Sequence, residues 1–244
     1  GVPVPVATRA EDGFRLTRAM LESRVSPRTK VLLLNFPNNP TGAVLNRQDL
    51  EEIAAFVREH DLLVITDDIY AELTYDQPHT SIVSLPGMRD RTILLHGFSK
   101  AWAMTGFRLG YACAPAELTE AMLKVHQYTM LCASSLSQKA ALEALSRPEQ
   151  DVGEMVEEYR RRRNFIASAL ADLGLPCTRP MGAFYAFPQI ARFGLSSKDF
   201  ALRLLYEEKV AAVPGTAFGE SGEGFLRCAY ATSMDKLKEA MHRP

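Results

Sequence analysis

The sequence contains few cysteines, and they show no pattern of a metal site or a redox pair. The four are far apart, and no two of them form a CxxC motif: Cys113, Cys132, Cys177 and Cys228. No histidine and cysteine spacing is typical of a zinc site. We therefore expect no metal centre, and we expect the cysteines to be small buried hydrophobic residues in a reducing compartment, the cytoplasm.

The sequence also lacks long apolar runs and an excess of either charge. No stretch approaches the roughly 20 apolar residues that a transmembrane helix needs, and the first residues show no pattern of a secretory signal. Lys and Arg total 28 and Asp and Glu total 29, which gives a formal net charge of −1. A near-neutral chain has no basic surface for a phosphate backbone. We therefore expect neither a membrane nor a nucleic acid as a partner.

Short aliphatic runs alternate with helical patterns through the first two thirds of the chain. Four runs of strand length are apolar nearly throughout: KVLLLNF at 30–36, LLVITDD at 62–68, TILLHG at 92–97 and RLGYACA at 108–114. Between the first two runs, the spacing of Leu50, Ile53 and Val57 is typical of one face of a helix. Apolar strands separated by helices indicate a mainly parallel sheet with helices on both faces, that is, an α/β fold.

The pattern changes near residue 134, where helical segments become dominant. A long helix is predicted from about 150 to 173, followed by short strands, a helix in SSKDFALRLLYEEK and a final helix from Met234. This order is typical of a smaller α+β domain. We expect a partial large domain over residues 1–150 and a small C-terminal domain over residues 151–244.

Polar side chains follow three successive predicted strands. Asn39 lies in the turn after the first strand, Asp67 and Tyr70 lie just after the second, and Ser99 and Lys100 follow the third. Open α/β sheets bind ligands at the carboxyl ends of their strands. We therefore expect these side chains to lie at one rim of the sheet.

The chemistry of these residue types indicates one kind of cofactor. A lysine among apolar groups and near a second cation can act as a neutral nucleophile, and the serine beside it together with Arg108 could bind a phosphate. An aspartate could pair with a protonated ring nitrogen, while an asparagine and a tyrosine could contact a phenolic oxygen. A cofactor that combines an aldehyde, a phosphate, a pyridine nitrogen and a phenolic oxygen is pyridoxal phosphate.

Four motifs resemble those of the class I/II aminotransferases of fold type I, in the same order and with similar spacings. They are NNPTG at 38–42, DDIY at 67–70, SKAWAMTGFRLGY at 99–111 and FLRCAYA at 225–231. The similarity extends over essentially the whole chain. The sequence around these motifs resembles that of the branch that contains aminotransferase A and the N-acetyl-diaminopimelate aminotransferases.

The resemblance implies roles for seven residues. Lys100 would form the Schiff base with the cofactor and later transfer a proton, and Asp67 would pair with the pyridinium nitrogen. Asn39 and Tyr70 would contact the phenolic oxygen, and Ser99 and Arg108 would hold the phosphate. Arg227, with Asn39, would bind the substrate. The resemblance also implies a cis peptide bond between Asn39 and Pro40. Gly97 departs from those members that have a second serine there.

Structural explanations of the same residues remain open at this point. Lys100 could extend along its apolar stem to solvent, and Asp67 could cap a helix, with Asp68 beside it as a competing candidate. Tyr70 could be an ordinary core tyrosine, and Arg227 could be a cation on an edge strand. Tyr185 is expected to contribute packing near the site.

The resemblance implies a reaction, an assembly and a missing part. The reaction is amino transfer between an α-amino acid and a 2-oxo acid in a ping-pong sequence, and the assembly is a homodimer. Family members carry a further N-terminal portion, so we expect a sheet edge and one face of the cofactor to be uncovered here. Two alternatives are a pyridoxal-phosphate C–S lyase of the same fold and the effector-binding domain of a transcriptional regulator.

Overall fold

The computed structural model describes residues 1–146 and 150–243, which form two compact units. The large unit comprises Gly1–Val6, Leu16–Pro37 and Leu45–Glu154, and the small unit comprises Ala7–Arg15, Asn38–Val44 and Met155–Pro244. The domain boundary expected near residue 150 adjoins residues 147–149, which lie outside the described residues. Two segments from the first fifth of the chain thus belong to the same unit as its C-terminal part.

The large unit is built on a four-stranded sheet. Its strands are β1 (Val31–Asn35), β2 (Leu63–Asp67), β3 (Thr92–Gly97) and β4 (Gly110–Cys113), in the order β1-β2-β3-β4. The first three strands are parallel, and β4 runs antiparallel to β3. The predicted α/β fold with a mainly parallel sheet is confirmed.

Four helices also belong to the large unit: α1 (Arg18–Glu22), α2 (Arg47–Glu59), α3 (Ala116–Thr129) and α4 (Ser135–Ser146). Helix α2 begins at a capping box, in which Asn46 and Asp49 each accept a hydrogen bond from the other's backbone. Its predicted apolar face is buried in one core with Leu34 and Val64 of the sheet. Burial of one leucine, isoleucine or valine side chain contributes about 1.5–3 kcal/mol to the free energy of folding, so packing holds α2 on the sheet.

The opposite face of β1 is far more exposed. Leu33 is 67% exposed, whereas its neighbour Leu34 is 2% exposed. Helix α3 has no buried residue. Cys113 on β4 and Cys132 after α3 are exposed, so the prediction that the cysteines are buried is wrong for these two. Among the described residues, this face of β1 and helix α3 are thus left open to solvent.

The small unit contains a second sheet, with three antiparallel strands. Its strands are β5 (Tyr185–Ala186), β6 (Val213–Pro214) and β7 (Leu226–Ala229), and β7 lies in the middle. The remaining helices are α5 (Gln150–Asp172), α6 (Ser197–Glu208) and α7 (Met234–His242), in agreement with the three helices predicted for this part. Throughout the described part of the chain, no helix is both long and apolar enough to cross a bilayer.

Candidate active site

The large unit brings three of the predicted residues to one edge of its sheet. Asp67 is the last residue of β2 and is in register with Leu95, two residues before the end of β3. Ser99 and Lys100 lie in the turn that follows β3. Because β2 and β3 are parallel, both strands end at the same rim, as the sequence predicts.

Tyr70 and Lys100 lie close together at this rim. The Lys100 Nζ atom lies over the Tyr70 ring, 5.6 Å from the ring centroid. Tyr70 is only 4% exposed, and Lys100 is half-buried. A cation at this distance from a ring face is attracted by the ring quadrupole. The ammonium of Lys100 is thus directed to an aromatic surface of the rim rather than to open solvent.

Asp67 and Asp68 are the two candidates for the carboxylate at this rim, and their side chains point to opposite sides of β2. Asp67 is half-buried, and its Oδ1 accepts a hydrogen bond from the backbone N–H of Ile69 at 3.2 Å. No described helix begins at Asp67, so it caps a turn and not a helix. Asp68 is buried among other side chains, and the carboxylate that remains accessible to a ligand is that of Asp67.

Arg108 lies on the exposed turn before β4. Its backbone is left-handed, with φ of 52°, and its Nη1 atom donates to the Thr105 carbonyl at 3.1 Å. The same turn explains why position 97 has a glycine. A Cβ atom at Gly97 would lie 3.0 Å from both Gly110 Cα and the Leu109 carbonyl oxygen, which leaves no room for a serine without a backbone shift.

The small unit holds the other two predicted residues, and they are hydrogen-bonded to each other. Arg227 on β7 donates from Nη1 to Asn39 Oδ1 at 2.9 Å. Asn39 is placed by a turn in which Gly42 donates to the Asn38 carbonyl at 2.8 Å. The predicted cis peptide bond between Asn39 and Pro40 is confirmed. Because β7 is the central strand, the interpretation of Arg227 as an edge-strand cation is wrong.

Two aromatic rings lie close to the Arg227 guanidinium. Its Cζ atom lies 4.6 Å from the Tyr185 centroid and 4.9 Å from the Phe218 centroid. The Nε atom is buried and has no hydrogen-bond partner among the described residues. Nη1 is already used by Asn39, so Nε and Nη2 are the donors that remain on the other edge of the guanidinium fork. A carboxylate matches this edge with two parallel hydrogen bonds.

Sequence reasoning missed Phe218, and it missed the contacts of Thr66 and His79 with the Asp68 carboxylate. Phe218 lies in TAFGESG, outside every motif that carries the resemblance, and an aromatic residue just after β6 is the one signal that points to it. Tyr185 was expected to contribute packing, and its contact with Arg227 gives that packing a place in the site.

Comparison with known proteins gives one family for nearly the whole chain. The family described as Aminotransferase class I and II matches residues 1–243. The chain is 54% identical over 243 residues to the Bacillus subtilis protein YugH, and 50% identical over 246 residues to Aromatic-amino-acid aminotransferase 2 of Thermococcus litoralis. Each of these matches covers 100% of this chain and 63% of the relative. A further Bacillus subtilis relative, 45% identical over 241 residues, has a name that refers to N-acetyl-LL-diaminopimelate aminotransferase; that match covers 99% of this chain and 61% of the relative.

Solved structures agree with the sequence comparison. The crystal structure of an aromatic aminotransferase from Pyrococcus horikoshii matches with a TM-score of 0.96 and 50% identity, over 99% of this chain and 65% of that one. The chain therefore spans less than two thirds of the length of the proteins that it resembles.

Proposed function

From the premise that the chain belongs to the class I and II aminotransferase family, we propose that it forms part of an enzyme that transfers an amino group between an α-amino acid and a 2-oxo acid. The family is dependent on pyridoxal phosphate. The observation that carries the proposal is the position of Lys100 Nζ over the Tyr70 ring, at the rim of the sheet where β2 ends in Asp67.

The donor groups of the large unit fit this cofactor. The rim offers an amine in Lys100, a carboxylate in Asp67, a phenolic hydroxyl in Tyr70 and, for a phosphate, the Ser99 hydroxyl and the Arg108 guanidinium. When bound, pyridoxal phosphate supplies an electrophilic carbon for an amine and a ring that accepts the electrons released at the substrate Cα. In our proposal, the residues of the large unit hold the cofactor.

Lys100 and Asp67 then have distinct tasks. The Asp67 carboxylate, oriented by the Ile69 N–H, keeps a proton on the ring nitrogen by charge and hydrogen bonding. Lys100 Nζ would accept the proton from the substrate Cα and so act as a general base. Tyr70, buried beneath the ammonium, limits the directions in which the lysine can move.

Arg227 and Asn39 determine the substrate class. The Nε and Nη2 edge of Arg227 binds a carboxylate, and the Asn39 amide prevents the guanidinium from turning in its plane. The two aromatic rings prevent it from tilting. Each charge-assisted hydrogen bond contributes about 1.5–3 kcal/mol, so we propose that α-amino acids and 2-oxo acids, which share this carboxylate, are the substrates.

Borohydride reduction followed by peptide mass spectrometry tests the proposal. We expect one reduced pyridoxyl adduct, on Lys100, in the wild-type chain incubated with pyridoxal phosphate. Lys100→Ala should abolish the adduct, and Lys124→Ala, a change at an exposed lysine of α3, should retain it. A single adduct that persists in Lys100→Ala would overturn the assignment.

The reaction type can be separated from the two alternatives. The relatives are named aminotransferases, and nothing in the comparisons favours a C–S lyase or a regulator. Release of pyruvate, ammonia and homocysteine from cystathionine, without amino transfer to a 2-oxo acid, would instead indicate a lyase. We also propose a homodimer in the cytoplasm, in keeping with four cysteines that form no disulfide; sedimentation equilibrium measures the assembly.

A further inference from the structure

A second carboxylate lies directly after Asp67 on the opposite side of β2. Asp68 is 2% exposed, and each of its carboxylate oxygens has a partner. The Thr66 hydroxyl donates to Oδ1 at 2.6 Å, and His79 Nε2 lies 3.0 Å from Oδ2. The residues before and after Asp67 are thus joined to each other on the buried face of the sheet.

This buried carboxylate is ionised. Burial alone would raise the pKa of Asp68, but the hydrogen bonds from His79 and Thr66 outweigh it and hold the pKa below its ordinary value. A buried charge with two partners has a narrow range of allowed positions, because any movement that breaks a contact leaves the charge unsatisfied. Asp68 is therefore a rigid point in the backbone next to the proposed cofactor site.

The backbone around Asp68 connects this point to both Asp67 and Tyr70. Asp68 donates its N–H to the Leu95 carbonyl of β3 at 2.9 Å, which extends the sheet by one residue. Its own carbonyl accepts from Ala71 at 2.8 Å, and this closes the turn that holds Tyr70. A rotation of the backbone at Asp68 would move the Asp67 carboxylate and the Tyr70 ring together.

We propose that Asp68, held by Thr66 and His79, is a positioning residue that sets the Asp67 carboxylate and the Tyr70 ring for the cofactor. This inference rests on the proposed roles of Asp67 and Tyr70. It assigns a purpose to His79, which is 11 positions away from Asp68 in the chain. A misplacement of about 1 Å at a reacting group can cost about 10²-fold in rate, so a small loss of order here would be measurable.

Amide hydrogen exchange of the cofactor-free chain gives the first test. The reporters are the N–H groups of Ile69, Ala71 and Leu73, whose acceptors lie in the turn. In Asp68→Asn, one carboxylate oxygen is replaced by an NH2 group, which cannot accept a hydrogen bond. We therefore expect exchange of these amides to be about tenfold faster. The matched control is Asp49→Asn, which removes a similarly buried charge from the capping box of α2 in the same unit.

The second test uses the chain loaded with pyridoxal phosphate. We expect Asp68→Asn to shift the pH midpoint of the visible absorbance of the lysine-bound cofactor and to lower kcat of the half-reaction with an amino acid about 10²-fold. KM should remain unchanged, because Arg227 binds the carboxylate. His79→Gln, which keeps a donor on a side chain of similar length, should retain most of the wild-type behaviour, and His79→Ala should not.

The outcomes are separable. Unchanged exchange at Ile69, Ala71 and Leu73 in both Asp68→Asn and His79→Ala would overturn the inference. The inference would also be overturned if Asp68→Asn exchanged faster but had the same absorbance midpoint and the same kcat as the Asp49→Asn control. Asp68 would then be structural only. Absence of a reducible adduct on Lys100 in the wild-type chain would instead contradict the proposed function, and hydrogen exchange would still decide whether Asp68 orders the turn.

Discussion

Arg227 Nη1 donates to Asn39 Oδ1 across 2.9 Å, although the two residues are 188 positions apart in the chain. Both belong to the small unit, because the segment Asn38–Val44 packs with the C-terminal part of the chain. The hydrogen bond leaves the Nε and Nη2 edge of Arg227 for a ligand. The geometry of that edge is the basis of the first two predictions.

Arg227→Lys should weaken binding of carboxylate substrates. A lysine keeps the positive charge but cannot present two parallel donors, and it also loses the contact with Asn39. We expect KM for an α-amino acid to rise about 30-fold, equivalent to about 2 kcal/mol. Steady-state kinetics measure the change. Arg203→Lys, at an exposed arginine of α6, is the control, and an equal effect of both substitutions would contradict a carboxylate site at Arg227.

Phe218→Leu should loosen the Arg227 guanidinium without removing any hydrogen bond. The ring covers one face of the guanidinium at 4.9 Å, and such a contact contributes about 1 kcal/mol. We expect KM for the amino acid to rise about fivefold, and Phe218→Tyr should preserve the wild-type value. The matched control is Phe193→Leu, which removes another ring that lies over an arginine, 4.8 Å from Arg192. If Phe193→Leu raised KM as much, the effect would not come from the Arg227 site.

The rim of the large unit could be predicted from the sequence, whereas the arrangement of the small unit could not. Continuous apolar runs mark β1, β2 and β3, and parallel strands bring their carboxyl ends together, so the placement of Asp67 and Lys100 at one rim follows from pattern. The choice of Asp67 over Asp68 rests on the family motif. Asn39 lies directly after β1 in sequence but packs with β7. That contact joins residues far apart in the chain through tertiary packing, and a local sequence pattern carries no information about such a contact.

Two further features were outside the reach of pattern. The direction of β4 was not predicted, although its connection to β3 contains no α-helix, and a missing crossover helix is typical of antiparallel neighbours. The Asp68 and His79 contact was also missed. A buried contact between a side chain at a strand end and one in a loop has no periodicity, and it becomes visible only when both side chains are placed.

Leu34→Ala and Leu33→Ala should differ strongly in stability although the residues are neighbours. Leu34 points into the α2 core and is 2% exposed, whereas Leu33 is 67% exposed. We expect Leu34→Ala to lower the free energy of unfolding of the 244-residue chain by about 2–5 kcal/mol, because it leaves a cavity. Leu33→Ala should change it by no more than about 0.5 kcal/mol. Urea denaturation measures both, and a large loss in Leu33→Ala would show that this face of β1 is covered.

The pair formed by His96 and Glu72 should make the stability of the large unit dependent on pH. His96 Nε2 lies 3.2 Å from Glu72 Oε2. Burial alone would lower the pKa of His96, but the nearby carboxylate of Glu72 outweighs it and raises the pKa above its ordinary value. The folded state therefore binds this proton more tightly than the unfolded state, whose histidine has a pKa of about 6.5. The stabilisation is complete below that pH and is lost as the pH rises through the higher pKa of the folded state.

His96→Asn should consequently destabilise the chain more at pH 5.5 than at pH 9, both chosen to bracket the unfolded pKa of about 6.5. Urea denaturation of wild type and variant across this range measures the difference in unfolding free energy. Glu72→Gln removes the charge that raises the pKa, so in that background the difference should become much less dependent on pH. His60→Asn, at an exposed histidine after α2, should leave the wild-type profile unchanged. A difference that grows with pH would mean that His96 is bound neutral, because a buried neutral histidine stabilises the folded state at high pH and not at low pH.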